Sequence, residues 1–160
     1  MVKDLQAGAQ RVQDALVAQG LPGIVVELPN STRTAKEAAQ AIGCRVEQIA
    51  KSIVFQTAET RRPVLVVASG INRIDEAKLA ELAGERVAQA DADFVHEHTG
   101  FAIGGVAPIG HPESLEMFID EDLLRLDQLW AAAGTPFSVF ALTPADLQRM
   151  TGGRVAKLKA

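Results

Sequence analysis

The sequence predicts an α+β fold, and three observations lead there. Short apolar runs at 24–28, 51–56, 63–69, 86–90, 115–119 and 137–142 have strand length and are bounded by turn residues. Between several of them lie segments of helical spacing whose ends carry explicit start and stop residues. The two kinds of segment are mixed without strict strand–helix alternation, which disfavours a doubly wound parallel sheet. With 160 residues, no low-complexity linker and no internal repeat, the chain reads as a single domain over 1–160.

The first helix is expected over 4–19, with Leu5, Ala9, Val12 and Leu16 on one face, closed by Gly20 and Pro22. A strand at 24–28 ends at Pro29-Asn30-Ser31. Thr34-Ala35-Lys36-Glu37 has the spacing of a capping box and opens a helix that Gly43 closes. A helical turn at 46–50 then delivers the chain to strands at 51–56 and 63–69. Asp75 can cap a helix carrying Leu79 and Leu82, ended by Gly84, and Asp91 can cap another carrying Phe94 and Val95. A short strand at 86–90 separates these two. Strands at 115–119 and 137–142 follow, and Thr143-Pro144 opens the last helix with proline at its first position.

Composition narrows the function classes. Hydrophobic content of 48% and charged content of 22% are those of an ordinary globular protein. No apolar run approaches the roughly 20 residues that cross a bilayer, and Met1 to Gln6 lacks the apolar core of a secretory signal. The one cysteine, Cys44, cannot form an internal disulfide, in keeping with a reducing cytoplasm. A net charge of −4 argues against coating DNA or RNA through a broad basic face, but permits a grip on a single-stranded end. Acids cluster at 113–127, whereas Arg149, Arg154, Lys157 and Lys159 make the end of the chain basic. Such a basic end reads as a solvated face or a weak phosphate contact.

The stretch from Thr99 to Pro112 is the most unusual. Gly100, Gly104, Gly105 and Gly110, with Pro108 and Pro112, sit among apolar residues, and no charged side chain precedes His111. Glycine permits positive φ and close approach of a ligand, and proline removes an amide donor. The segment reads either as a stiff pocket wall acting through its main chain or as a buried turn. Lys51 shares one strand face with Ile53 and Phe55, so its ammonium either snorkels at the sheet rim or enters a pocket.

Three ordered matches over about 25–152 resemble the YbaK/ProX (INS-type) family of free-standing aminoacyl-tRNA editing domains, which includes prolyl-tRNA deacylase-like proteins. Thr99-Gly100-Phe101 leads into a Gly-x-x-x-Pro loop at 104–108. Thr34-Ala35-Lys36-Glu37-Ala38-Ala39, followed by 48–55, is similar to that family's helix and lysine-bearing strand. The third match runs through Phe118 to Leu124, Trp130-Ala131-Ala132-Ala133-Gly134 and Phe140 to Pro144. The resemblance implies a mixed, barrel-like β-sheet flanked by helices. It implies a trans-acting deacylase in the cytoplasm that hydrolyses the ester of a small mischarged amino acid on a proline tRNA. Alanine, cysteine, 2-aminobutyrate, serine and threonine are the candidate groups. Its partners would be the acceptor end of the mischarged aminoacyl-tRNA and prolyl-tRNA synthetase, with no DNA, membrane or cofactor.

By the same resemblance, Lys51 would hold the phosphate or ribose of the terminal adenosine, with Gly104 and Gly105 forming the catalytic loop. Val106, Ala107, Pro108, Ile109, Gly110, His111 and Gly134 would bind substrate. Main-chain N–H groups held in place can stabilise the oxyanion of ester hydrolysis, so no serine or cysteine nucleophile is needed. The residues support none: Cys44 reads as a small buried hydrophobe, Ser52 should face away from Lys51, and no Gly-x-Ser-x-Gly elbow is present. Asp91-x-Asp93 and His96-x-His98 diverge by about 200° on a helix and do not chelate a metal on one face. Two other readings stay open from the residues: a binding module without hydrolysis, and a metal-dependent hydrolase using these histidines and His111.

Overall fold

The computed structural model describes residues 5–160. Residues 1–4, where the expected first helix begins and where no signal core was read, lie outside the described residues. Thirteen regular elements follow in the order α1 (Ala7–Ala18), β1 (Val26–Glu27), α2 (Ala35–Ile42), β2 (Ile49–Thr57), β3 (Pro63–Ser69), α3 (Glu76–Ala83), β4 (Val87–Gln89), α4 (Ala92–Thr99), β5 (Glu116–Asp120), β6 (Leu129–Ala132), β7 (Ser138–Leu142), α5 (Pro144–Thr151) and β8 (Arg154–Ala156). The strands form one mixed sheet in the order β1-β7-β6-β2-β3-β5-β8, with β4 also paired to β2. The fold is the expected α+β arrangement, five helices flanking the sheet.

Capping chemistry fixes most helix ends. Asp75 Oδ1 accepts the N–H groups of Ala77 and Lys78, and Asp91 Oδ1 accepts that of Phe94. Thr34 Oγ1 accepts the Glu37 N–H at 3.1 Å. The reciprocal capping box forms at α5, where Thr143 and Asp146 each accept the other's N–H. Two expectations need correction. The strand at 24–28 shrinks to Val26–Glu27 because the Gln13 side chain of α1 holds its start, accepting the Val25 N–H and donating to Gly23 O. Gln19, not Gly20, caps α1.

Arg149, Arg154, Lys157 and Lys159 are all exposed, as a solvated face requires, but the backbone that carries them holds a strand that was not expected: Arg154–Ala156 pairs in parallel with Phe118, Ile119 and Asp120 of β5. Its charged flanks hid the strand from a pattern search. The acidic stretch likewise hides a 3₁₀ turn at Glu121–Arg125, capped by Asp120.

Strand alternation divides the apolar side chains into two layers. Ala50, Val54, Leu65 and Val67 face the main core with α1, Phe101, Val106, Ile109 and the inner residues of β5, β6 and β7. Phe55, Val64, Val66 and Ala68 face outward onto Leu79 and Ala83 of α3. Lys51 lies on the outward set's parity and Ser52 on the core set's parity, as the spacing requires.

Candidate active site

The site begins with an interruption in the sheet. Along one side, β2 is covered by β3 without a break from Ala50 to Gln56. On its other side, β6 meets only Ile49 and Ala50, and β4 meets only Phe55, Gln56 and Thr57. Residues 51–54 therefore have a strand neighbour on one side only, apart from the Ala90 N–H that donates to Val54 O at 3.0 Å. Into this gap opens a cavity of about 290 Å³. An open strand edge lets residues of both parities reach it, so Lys51 and Ser52 both line the cavity.

Its walls are mostly apolar. Val54, Val95 and Val106 come from the main core, and Ala131 and Ala132 of β6 leave the floor shallow. Among the described residues two cationic side chains, Arg33 and Lys51, line the cavity and no aspartate or glutamate does, in a chain whose net charge is −4. Lys51 is half-buried, and burial lowers its pKa; Asp120 acts in the opposite sense and Arg73 reinforces the lowering. Among the described residues no carboxylate approaches its ammonium within 4.0 Å. Asp120 is fully buried and occupied elsewhere, accepting from Ser69 N–H, Asn72 Nδ2 and Asp122 N–H. The lysine charge is thus available to a ligand.

The glycine segment contributes less of the cavity than its sequence suggests. Ile103, Gly104 and Val106 line it. Gly104 has φ +91°, and a Cβ there would meet Arg33 Cγ at 2.6 Å, so the loop and the arginine stem are fitted to one another. Gly105 is outside the lining. A Cβ on it would lie 3.0 Å from the Thr135 backbone, its N–H donates to Ala102 O, and its carbonyl accepts the Gly134 N–H. Gly134, with φ +89°, is pressed against Gly8, where a Cβ would come within 2.3 Å of the Gly8 carbonyl oxygen. The main-chain N–H groups of Gly104 and Val106 make no hydrogen bond within the described protein.

Residues 107–111 lie behind the wall. Ala107 and Ile109 are buried in the core. Pro108, Ile109, Gly110 and His111 border a separate concavity with Glu113 and Met150. His111 Nε2 lies 2.7 Å from Ala107 O. A carbonyl can only accept, so the proton sits on Nε2. Burial lowers the His111 pKa, the Ala107 hydrogen bond opposes that, and Arg11 adds to the lowering. Arg11 stacks 4.0 Å above the Phe101 ring and donates to Thr99 O, closing the start of the segment onto α1.

The other candidates fall into ordinary roles. Cys44 is half-buried against the small cluster of Ala38, Ala39 and Ile49, and burial raises its pKa. His98 Nδ1 pairs with Glu113 Oε1 at 2.7 Å. Among the described residues no three His, Cys, Asp or Glu side chains converge as a metal-binding set. Arg33 and the interruption in the sheet escaped the sequence reading, and Ser52 entered it only as a serine facing away from Lys51. The strand pattern of 51–56 gives no sign that one of its edges is open.

A small cavity with an unpaired lysine and a glycine loop lies at the edge of a mixed sheet, and comparisons with known proteins give the class of domain to which this arrangement belongs. The profile of the aminoacyl-tRNA editing domain family matches residues 29–150. The chain belongs to that family. A solved structure described as a candidate trans-editing enzyme for prolyl tRNA synthetase is 50% identical, with a TM-score of 0.92, covering 98% of this chain and 99% of its own. YwhH of Bacillus subtilis, an uncharacterized protein, is 34% identical over 131 residues, 82% of this chain and 83% of that one. EbsC of Enterococcus faecalis, a candidate Cys-tRNA(Pro)/Cys-tRNA(Cys) deacylase, is 25% identical over 126 residues, 78% of this chain and 76% of its own. No helix among the described residues is long and apolar enough to cross a membrane.

Proposed function

We propose that this protein is a trans-acting aminoacyl-tRNA deacylase that removes a small mischarged amino acid from a proline tRNA. The observation that carries the reading is the composition of the cavity: two cations, no carboxylate, and a small apolar floor in a volume of about 290 Å³. That volume is at the lower end for a ligand site. It accommodates a small acyl group while the polyanionic tRNA end remains at the mouth. The kinship with a candidate prolyl-tRNA trans-editing enzyme supports the choice of tRNA and of prolyl-tRNA synthetase as an associated partner.

In this reading Lys51 and Arg33 hold the phosphate or ribose of the terminal adenosine. A compact ammonium suits Lys51, since it supplies charge without a fixed bidentate geometry. Water adds to the acyl carbon, the carbonyl oxygen becomes an oxyanion, and the ester C–O bond then breaks with the proton passing to the ribose oxygen. The free N–H groups of Gly104 and Val106 are the donors for that oxyanion. Gly105 assists from behind, because both its polar main-chain groups are already spent on holding the loop. Ala131 and Ala132 receive the side chain of the amino acid. Residues 107–111 and Gly134 bind no substrate directly and keep the wall in place.

The test is deacylation of proline tRNA charged with alanine, cysteine, serine, threonine, 2-aminobutyrate or proline. Rapid hydrolysis of one or more small mischarged forms, with prolyl-tRNA spared, is expected. Equal and slow loss of every ester, at the rate without protein, overturns the proposal.

A further inference from the structure

The basic end of the chain lines no part of the cavity, yet its backbone is firmly held. Leu158 is fully buried between the exposed Lys157 and Lys159, one residue turned in and its two neighbours out. The stretch after β3 ties it down. Leu158 O accepts the Asp75 N–H at 2.7 Å, and the Ala160 N–H donates to Arg73 O at 2.9 Å. Ile74 and Lys159 form an antiparallel bridge, and Lys78 Nζ of α3 donates to Lys159 O at 3.2 Å. The exposed Arg73 follows Asn72, which is buried and donates to both Asp120 and Asp122. Arg73, Lys157 and Lys159 are thus carried on a fixed ribbon.

These three charges are unspent. Among the described residues no carboxylate comes within 4.0 Å of any of them. Residues 71–78 and 157–160 hold four cations against two carboxylates, Asp75 and Glu76. The whole chain has the opposite balance, 16 cations to 20 acids. Asp75 is already occupied, accepting the N–H groups of Ala77 and Lys78 at the start of α3. A local excess of unpaired cations is complementary to a polyanion.

The ribbon begins beside the cavity. Lys51 pairs with Ala68 across β2 and β3. Ala68 belongs to the outward layer that also contains Leu158, with Ile74 packed on it. Gly70 joins β3 to the ribbon; its N–H donates to Ile49 O, and a Cβ on it would lie 2.9 Å from Ala35 Cβ. Ile49 and Ala35 both line the cavity. Burial is the main cause lowering the Lys51 pKa; Asp120 opposes it, and Arg73 is near enough to add to it. Positive charge therefore continues from Lys51 to Arg73, and along the ribbon to Lys159 and Lys157.

We propose that Arg73, Lys159 and Lys157 form a phosphate track for the RNA strand leading into the cavity, holding backbone phosphates upstream of the terminal adenosine. This rests on the reading of the cavity as the seat of an aminoacylated RNA end. Phosphate contacts position a nucleic acid without reading its bases. The track therefore sets affinity for the RNA as a whole and takes no part in choosing the amino acid. The net charge of −4 is no obstacle, because a few cations suffice to grip a single-stranded end.

The experiment measures binding, so it does not depend on turnover. Two hydrolysis-resistant ligands are titrated calorimetrically into the full chain at roughly 50 to 200 mM salt. One is the alanyl amide of 3′-amino-3′-deoxyadenosine, which has no phosphate; the other is an acceptor-stem minihelix of proline tRNA ending in the same amide. The wild type is expected to bind the minihelix at least about tenfold more tightly near 0.1 M salt. Arg73→Gln, Lys157→Gln and Lys159→Gln should each reduce the slope of log K against log salt by about one. The triple variant should lose about thirtyfold or more in minihelix affinity, with nucleoside-amide affinity changed by less than about threefold. Urea midpoints should match wild type, since the replaced groups are exposed and unpaired. Arg61→Gln, in the turn at the far end of the β2–β3 hairpin from Lys51, should leave the slope as it is.

A wild-type slope in the triple variant overturns the proposal, as does an Arg61→Gln slope lowered as much as that of a track variant. Equal wild-type affinity for the two ligands also overturns it. A slope that depends on the track, in a protein that hydrolyses no aminoacyl-tRNA, removes the deacylase reading and leaves the track standing. Hydrolysis of a mischarged tRNA, with a slope indifferent to these three residues, does the reverse.

Discussion

Residues 104–106 and residues 107–111 are consecutive in the chain and similar in composition, yet the fold uses them differently. The first group includes Gly104 and Val106, which line the cavity with their N–H groups unspent. The second is packed into the core or turned toward another concavity, with His111 tied back to Ala107 O. The same contrast runs along β2, where residues 51–54 have an open edge and residues 55–57 are flanked on both sides or end the strand. In both regions the cavity opens where main-chain hydrogen bonding stops. Glycine and proline content marks where a loop is stiff, and only the count of spent and unspent peptide groups tells wall from support.

The largest effect is expected at Lys51. Lys51→Ala should reduce deacylation by at least about a hundredfold, comparable to losing a preorganised charge contact in a reaction site. It should leave the urea midpoint nearly unchanged, because the ammonium has no ion-pair partner among the described residues. A variant as active as wild type removes Lys51 from the mechanism.

A pair of substitutions on either side of the divide sharpens the comparison. Gly104→Ala forces a side chain into φ +91° and onto Arg33 Cγ. A strain of about 1 kcal/mol or more is expected, with turnover falling roughly tenfold or further as the wall shifts. Ile109→Ala should instead lower stability by about 2–5 kcal/mol, the range for truncating a buried isoleucine. Under conditions where it remains folded, its kcat should stay within about threefold of wild type. Denaturant melts and single-turnover rates on the same preparations separate the two. If Ile109→Ala loses turnover as severely as Gly104→Ala, the whole segment acts as one wall and the division fails.

Much of this was legible in the sequence, for identifiable reasons. Thr34, Asp75, Asp91 and Thr143 announced their helices because capping is local chemistry within four residues. Lys51 and the glycine segment stood out as residue types misplaced in an apolar setting. Legibility ended where pairing between distant strands decides the outcome. β8 carries too few apolar residues to show a period, and its partner β5 lies more than thirty residues earlier. The gap beside β2 depends on how far β4 and β6 extend, which no window on residues 51–56 contains. Gly105 looked equivalent to Gly104, and only its bonds to Ala102 and Gly134 distinguish them.

The smallest expected effect concerns pH and the supporting half of the loop. Burial favours neutral His111 in the folded protein, so its folded pKa lies below the unfolded value of about 6.5. In the window between these two values the unfolded chain binds more protons. Stability should then rise with pH, being complete above about 6.5 and declining as the solution is acidified toward the folded pKa. His111→Gln should flatten the part of the slope that His111 supplies, seen in urea midpoints measured from about pH 7.5 downward. An identical slope in both proteins would remove His111 as the source.

The division between wall and support is tested most directly by amide NMR, titrating the protein with the hydrolysis-resistant alanyl adenosine amide. The largest shifts are expected at Ser52, Gly104, Val106 and Ala131, around the gap in the sheet. Shifts centred on Gly110, His111 and Glu113, with those four amides unmoved, would place the ligand in the other concavity and contradict the account.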